Sequence, residues 1–203
     1  MLYKNLEESI NKIKEMNGNS CDISVHEINL NKSKIAYVFL ESTSSDDKIS
    51  DFLGKTLSVE VRKENVFNDL FKYLENTIPN SKIKTVDNYE DLFYYLASGF
   101  TCILVNGYSK AIIVETKGNL DRAINESSSE PVLKGPKDSF NENYQNTIGL
   151  IRKRIKDPNL YFTEVKVGRR TKTKVSLAYI KDIADEKKVK RLLNQLKKLI
   201  SME

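Results

Sequence analysis

Two stretches of the chain run in step. Ile35-Ala36-Tyr37-Val38-Phe39-Leu40-Glu41, followed by Ser45-Asp46-Asp47-Lys48-Ile49, aligns without a gap on Val175-Ser176-Leu177-Ala178-Tyr179-Ile180-Lys181, followed by Asp185-Glu186-Lys187-Lys188-Val189. Upstream, Glu27-Ile28-Asn29-Leu30 answers Glu164-Val165-Lys166-Val167. In both places an amphipathic helix leads into two strands and a second helix, and such self-similarity means that one module is used twice. The predicted class is therefore α/β in the broad sense, an α+β chain with mixed sheets, made of two similar subdomains on a repeated helix-strand-strand-helix unit. The second copy stops soon after its last helix and is incomplete, so its unfinished part is expected to expose apolar surface or to pair with another chain.

Local signals fill in the units. Leu6, Ile10 and Ile13 recur at helical spacing after Asn5, with Glu8 completing a capping-box-like start and Gly18 placed to end the helix. Ile23 to Leu30 and Ile35 to Leu40 read as a hairpin, and Ser45-Asp46-Asp47 caps a helix carrying Ile49, Phe52 and Leu53. A longer helix is predicted from Val66 to Ile78, stopped by Pro79. Then come a short strand at Ile83 to Val86, a capping pair Asp87 and Glu90, and a helix through Leu92 to Leu96. A hairpin follows around Asn106-Gly107, a dipeptide that supplies the positive φ of a tight turn.

Residues 1–120 are thus the first subdomain. The run Glu126-Ser127-Ser128-Ser129-Glu130-Pro131 and then Gly135-Pro136 mark residues 121–138 as a linker. The second, partial subdomain covers residues 139–203. Its signals are a capping box at Ser139 and Glu142, a helix through Ile148 and Ile151 stopped by Asp157-Pro158, strands at Leu160 to Val167 and Lys174 to Ile180, and a last helix capped by Asp185.

Charge separates the two parts. Residues 1–126 hold 15 Lys+Arg against 19 Asp+Glu, whereas residues 127–203 hold 18 against 9, so the net +5 is the sum of −4 and +9. A one-signed field favours anionic partners such as phosphates, acidic protein surfaces or lipid headgroups. The densest basic segment contains Arg152, Lys153, Arg154, Lys156, Arg169, Arg170, Lys172 and Lys174. Arg152, Arg154 and the Arg169-Arg170 pair in a hairpin loop are candidates for gripping carboxylate or phosphate through two parallel bonds. Lys134-Gly135 ahead of a helix start is a further candidate anion contact, although one glycine lacks the spacing of a phosphate loop. The competing account is a solvated helix face and an ordinary linker turn.

Several classes are disfavoured. His26 is the sole histidine, Cys21 and Cys102 lack the spacing of a metal set, and no nucleophile sits in a GxSxG-like context. No catalytic residue, metal ligand or cofactor is therefore read, and an enzyme is the least favoured class. Nucleic-acid recognition is also disfavoured, since the basic segment has no aromatic RNP-like motif, zinc finger or clear helix-turn-helix. No apolar run approaches the roughly 20 residues of a membrane helix. The start turns acidic at Glu7-Glu8, so no export signal is read and a cytosolic fold is the default.

From Glu130 onward the order of blocks is specific: Glu130-Pro131-Val132, Lys134-Gly135-Pro136, Phe140 with Glu142-Asn143, Ile151 to Leu160, Val167 to Val175, and Ile183-Ala184-Asp185. This pattern resembles the GerA-type family of spore germinant-receptor A subunits, and the first 120 residues fit it more loosely. Gln145, Ser139 and Lys134 depart from the residues usual there. The resemblance implies a large soluble amino-terminal region of two similar α/β subdomains, facing the cytoplasm and followed in the full protein by membrane helices. It implies a role in spore germination at the spore inner membrane, through assembly with receptor B and C subunits and transmission of the nutrient signal. Self-association and a small-nutrient sensor site, for an amino acid or sugar, are the other expectations. Contact with the membrane is expected only through the region absent from this chain.

Overall fold

The computed structural model describes residues 1–30, 33–56, 70–78, 83–118, 140 and 143–198. Asn5 accepts from the backbone N–H groups of Glu7 and Glu8, and helix α1 (Leu6–Met16) follows with Leu6, Ile10 and Ile13 buried. Strands β1 (Ile23–Leu30) and β2 (Ser33–Leu40) pair antiparallel in full register, Ile23 opposite Leu40 through Leu30 opposite Ser33. Helices α2 (Asp46–Thr56) and α3 (Leu70–Thr77) come next; Val66, Phe67 and Pro79 of the predicted longer helix lie outside the described residues. The unit closes with β3 (Lys84–Val86), α4 (Tyr89–Ala97), β4 (Phe100–Val105) and β5 (Ala111–Glu115).

The five strands lie in the order β1-β2-β4-β5-β3, every pairing antiparallel, with helices on both faces. Ala36, Val38, Leu40, Cys102, Leu104 and Ile113 face α1 and α4, whereas Ile35, Phe39, Ile103, Val105, Ile112 and Val114 face α2 and α3. That double cover explains why β4 is buried along its whole length instead of alternating, with Thr101 its one polar residue, hydrogen-bonded to Thr116 at 2.8 Å. Gly107 takes φ 93° in the β4–β5 turn, and the Asn106 side chain accepts from the Leu6 N–H at 3.1 Å, tying this turn to the start of α1.

Two caps differ from expectation. α4 is capped by Asn88, which accepts from the Asp91 N–H at 2.8 Å, one residue later than the Asp87–Glu90 pair. The second unit's first helix, α5 (Tyr144–Arg154), is capped by Asn143 accepting from the Asn146 N–H; Ser139 and Glu142 lie outside the described residues, as do positions 121–138 of the linker.

The second unit continues with β6 (Leu160–Val167), β7 (Thr173–Ile180) and α6 (Glu186–Lys198). Four backbone hydrogen bonds of the first unit recur in it. Thr43 and Ser44 N–H donate to the Leu40 carbonyl, as Ile183 and Ala184 N–H donate to that of Ile180. Glu41 N–H reaches Asp22 O at 2.9 Å, and Lys181 N–H reaches Asn159 O at 2.9 Å. Ile49 donates to Ser45 O and Val189 to Asp185 O, each at 3.0 Å. The α+β class and the repeated unit therefore stand, and both sheets are antiparallel.

Completion is where the copies part. In the first unit the far edge of β2 is covered by β4, from Ile35 opposite Val105 to Val38 opposite Cys102. The second sheet has two strands, and among the described residues nothing pairs with the corresponding edge of β7. No residue of β7 or α6 is buried, and Ile183 and Leu192 stand 77% and 47% exposed. No described helix is long and apolar enough to cross a membrane.

Candidate functional site

The two units meet where the loop from α1 to β1 receives α5 and β6. Arg152, Asp22 and Asn17 are each at most 1% exposed there. The Arg152 guanidinium donates through Nε to Asp22 Oδ2 and through Nη2 to Asp22 Oδ1, both at 3.0 Å, and again through Nη2 to Asn17 Oδ1 at 3.3 Å. Ser42 Oγ donates to Asp22 Oδ2 at 3.0 Å, and the Arg152 fork lies over the Phe162 ring at 4.8 Å. A carboxylate taken out of water needs its lone pairs filled, and here three donors fill them.

Backbone contacts complete the seam. The Ser20 hydroxyl accepts from Phe162 N–H at 2.8 Å, and Cys21 N–H donates to Phe162 O at 3.0 Å. Gly18, at φ 59°, forms the seat for Tyr161: a Cβ there would lie 2.2 Å from the ring. The Cys21 thiol sits 3.5 Å from the Tyr144 hydroxyl. Burial pushes the titration of both groups up.

This arrangement redistributes the candidate residues. Arg152 is not a surface contact: its guanidinium is enclosed and joins the two units of its own chain. Arg154 is exposed at the end of α5. Arg169 and Arg170 are exposed at the β6–β7 turn, the opposite end of a hairpin with eight-residue strands, on the order of 20 Å away at about 3.3 Å per residue. The basic segment is therefore divided among a buried seam, the base of the hairpin and its tip. Neither Arg169 nor Arg170 has an ion pair with another described residue, and Lys134 and Gly135 lie outside the described residues. Asp22 and Asn17, the partners of Arg152, were not singled out from sequence, for no local pattern announces a partner 130 residues away.

A cleft of about 570 Å³ opens beside the seam. His26, Tyr37 and Phe39 stack along one wall with ring centroids 5.0 to 6.1 Å apart, and Glu41, Asp46, Ser50 and, from α5, Gln145 supply polar groups. Gln145 Nε2 donates to Glu41 Oε2 at 3.2 Å across the two units. No group of three or more His, Cys, Asp or Glu side chains with metal-binding geometry occurs among the described residues.

The sequence profile described as Bacillus/Clostridium GerA spore germination protein matches residues 11–202. Spore germination protein KA of Bacillus subtilis is 30% identical over 98% of this chain and 37% of its own length. Spore germination protein B1 of the same organism is 29% identical over 95% of the chain and 40% of its own length. The chain thus spans about two fifths of these relatives. The crystal structure of the N-terminal domain of the A subunit of the Bacillus megaterium spore germinant receptor GerK3 matches with a TM-score of 0.77 and 28% identity. That likeness covers 97% of this chain and 72% of the crystallised one.

Proposed function

The chain belongs to the GerA family of spore germination proteins, and from that membership we propose that it is the amino-terminal region of a germinant-receptor A subunit that assembles the receptor and passes on its signal. On this reading residues 1–120 and 139–203 are two subdomains joined by a linker, and the partners are the receptor's B and C subunits at the spore inner membrane. What carries it is the geometry of the second unit. Its root is clamped into the first unit by Arg152 and Asp22, while its tip presents Arg169 and Arg170 to the surroundings. A force or contact at the tip reaches the first unit through a buried ion pair held by two bonds of 3.0 Å. Exposed guanidinium groups suit an acidic partner surface, with an affinity that falls as salt screens the charges.

The test uses the complete protein in sporulating cells, with Arg169→Glu and Arg170→Glu introduced together. Co-purification with the B and C subunits and nutrient-triggered germination should both fall sharply. Normal assembly and germination in that variant would sink the reading. The cleft lined by His26, Tyr37 and Phe39 favours a second reading, a small-nutrient site shared between the units. Amino acids and sugars should then raise the melting temperature of the chain. The shift should vanish in Tyr37→Ala; a flat screen removes this reading and leaves the first intact.

A further inference from the structure

Helix α6 carries its cations at a cost to its own stability. Lys187 and Lys188 stand in its first turn, where the positive end of the helix dipole disfavours them, and Glu186 is the one acidic residue there. Arg191 follows Lys187 by four residues and Lys188 by three, so like charges are neighbours along the helix surface. The nearby carboxylates are already engaged. Glu186 is bound to Lys181, with Lys190 as its other close cation, and Asp185 accepts from the backbone N–H groups of Lys187 and Lys188. Lys187, Lys188, Arg191 and Lys197 are exposed and have no ion pair among the described residues, whereas Lys198 has a partner of its own. Charges set against the helix that bears them are explained by an anionic surface outside it.

The apolar stripe of the same helix is also left short of full burial. α6 packs back on β6, yet none of its side chains is buried: Val189, Leu193 and Leu196 are half-buried and Leu192 is 47% exposed. Leu192 lies one turn beyond Lys188 on the same strip, so an exposed apolar group and an unpaired ammonium face outward together. We infer that α6 is a docking surface for an anionic lipid bilayer. A helix with Lys and Arg on one side and leucines on the other lies along such an interface, its cations on headgroup phosphates and its apolar groups at the acyl boundary. The cations are spread over a helix about 20 Å long, which matches a sheet of many phosphates better than a single bound anion. This gives the chain a lipid contact of its own, beyond the one expected through the region absent from it and separate from the contact proposed at Arg169 and Arg170.

The chain contains no tryptophan, so Leu192→Trp makes a single-site reporter for a vesicle-binding test. Vesicles about one third phosphatidylglycerol should carry the chain down on sedimentation at about 0.1 M sodium chloride and release it at about 0.5 M, while pure phosphatidylcholine vesicles leave it in solution. Emission from the Leu192→Trp variant should shift to the blue on the anionic vesicles only. Lys187→Glu with Arg191→Glu should weaken binding about tenfold or more. That variant should melt no lower than the parent, because it places an acidic group in the first turn and removes like-charge neighbours, so lost binding is not lost folding. Arg169→Glu with Arg170→Glu, introduced with the reporter, should still bind and still shift the emission. Equal sedimentation with the two vesicle types overturns the proposal, as does binding that survives reversal of the two α6 charges or a bound chain whose emission does not move. Equal binding to soluble poly-glutamate also overturns it and assigns α6 to an acidic protein surface instead. The readout is lipid binding by the chain itself, so these outcomes leave the assembly reading untouched.

Discussion

Arg152 illustrates how one residue can carry a neighbourhood. With 1% of its surface exposed, it holds Asp22 and Asn17 from the first unit and lies on Phe162 of the second. Removing one member of such a buried pair strands the other charge, so Asp22→Ala should destabilise the chain by about 3 to 5 kcal/mol in urea denaturation. Replacing both, Asp22→Leu with Arg152→Met, strands no charge and should be less damaging than the two single losses added together. Strict additivity would show that the two groups are not coupled. The cysteines report on the same seam. Burial holds both thiols protonated to higher pH than a free cysteine, Cys102 most of all. Iodoacetamide at pH 8 should therefore spare Cys102 and label Cys21 slowly, at a rate that climbs as pH rises. Arg152→Ala should speed labelling of Cys21 and leave Cys102 protected; equal labelling of the two would mean that the seam does not shield Cys21 selectively.

At the scale of elements, the α1–β1 loop is shaped to receive β6. Gly18 combines φ 59° with a Tyr161 ring where a side chain would stand. Gly18→Ala should cost about 1 to 2 kcal/mol from the backbone alone, with a further loss as the ring is displaced. Adding Tyr161→Ala should relieve the second part only, and a thermal-melt cycle over the four proteins separates the two. Hairpins and the repeat were legible because alternation, the Asn-Gly turn and the matched strands are local patterns. The start of α4 was not, since Asp87, Asn88, Glu90 and Asp91 all offer capping oxygens, and the choice of Asn88 follows from the helix phase that buries Leu92, Phe93 and Leu96. The seam was misread for a related reason. Lys153 and Arg154 made Arg152 look like part of a surface run, although Arg152 stands four residues after the buried Ile148, on the inward stripe of α5.

For the whole molecule, the decisive asymmetry is between a five-stranded sheet covered on both faces and a hairpin whose β7 edge is unpaired among the described residues. An isolated two-stranded sheet is marginal in water, so the second unit gains its order from α5, α6 and the seam with the first. Amide hydrogen exchange should rank the strands accordingly: β4 and β5 most protected, β6 intermediate, and the outer amides of β7 fastest. Arg152→Ala should then abolish protection across β6 and β7 while β4 and β5 keep theirs, because Asn17, Ser42 and Phe162, the other groups gathered around that pair, all lie outside β4 and β5. A uniform loss over both sheets would mean that the chain unfolds as one block, and a contact at Arg169 and Arg170 would then have no separate element to move. Selective loss would establish the second unit as a body held to the first at one buried joint, which is the mechanical condition for relaying a signal between them.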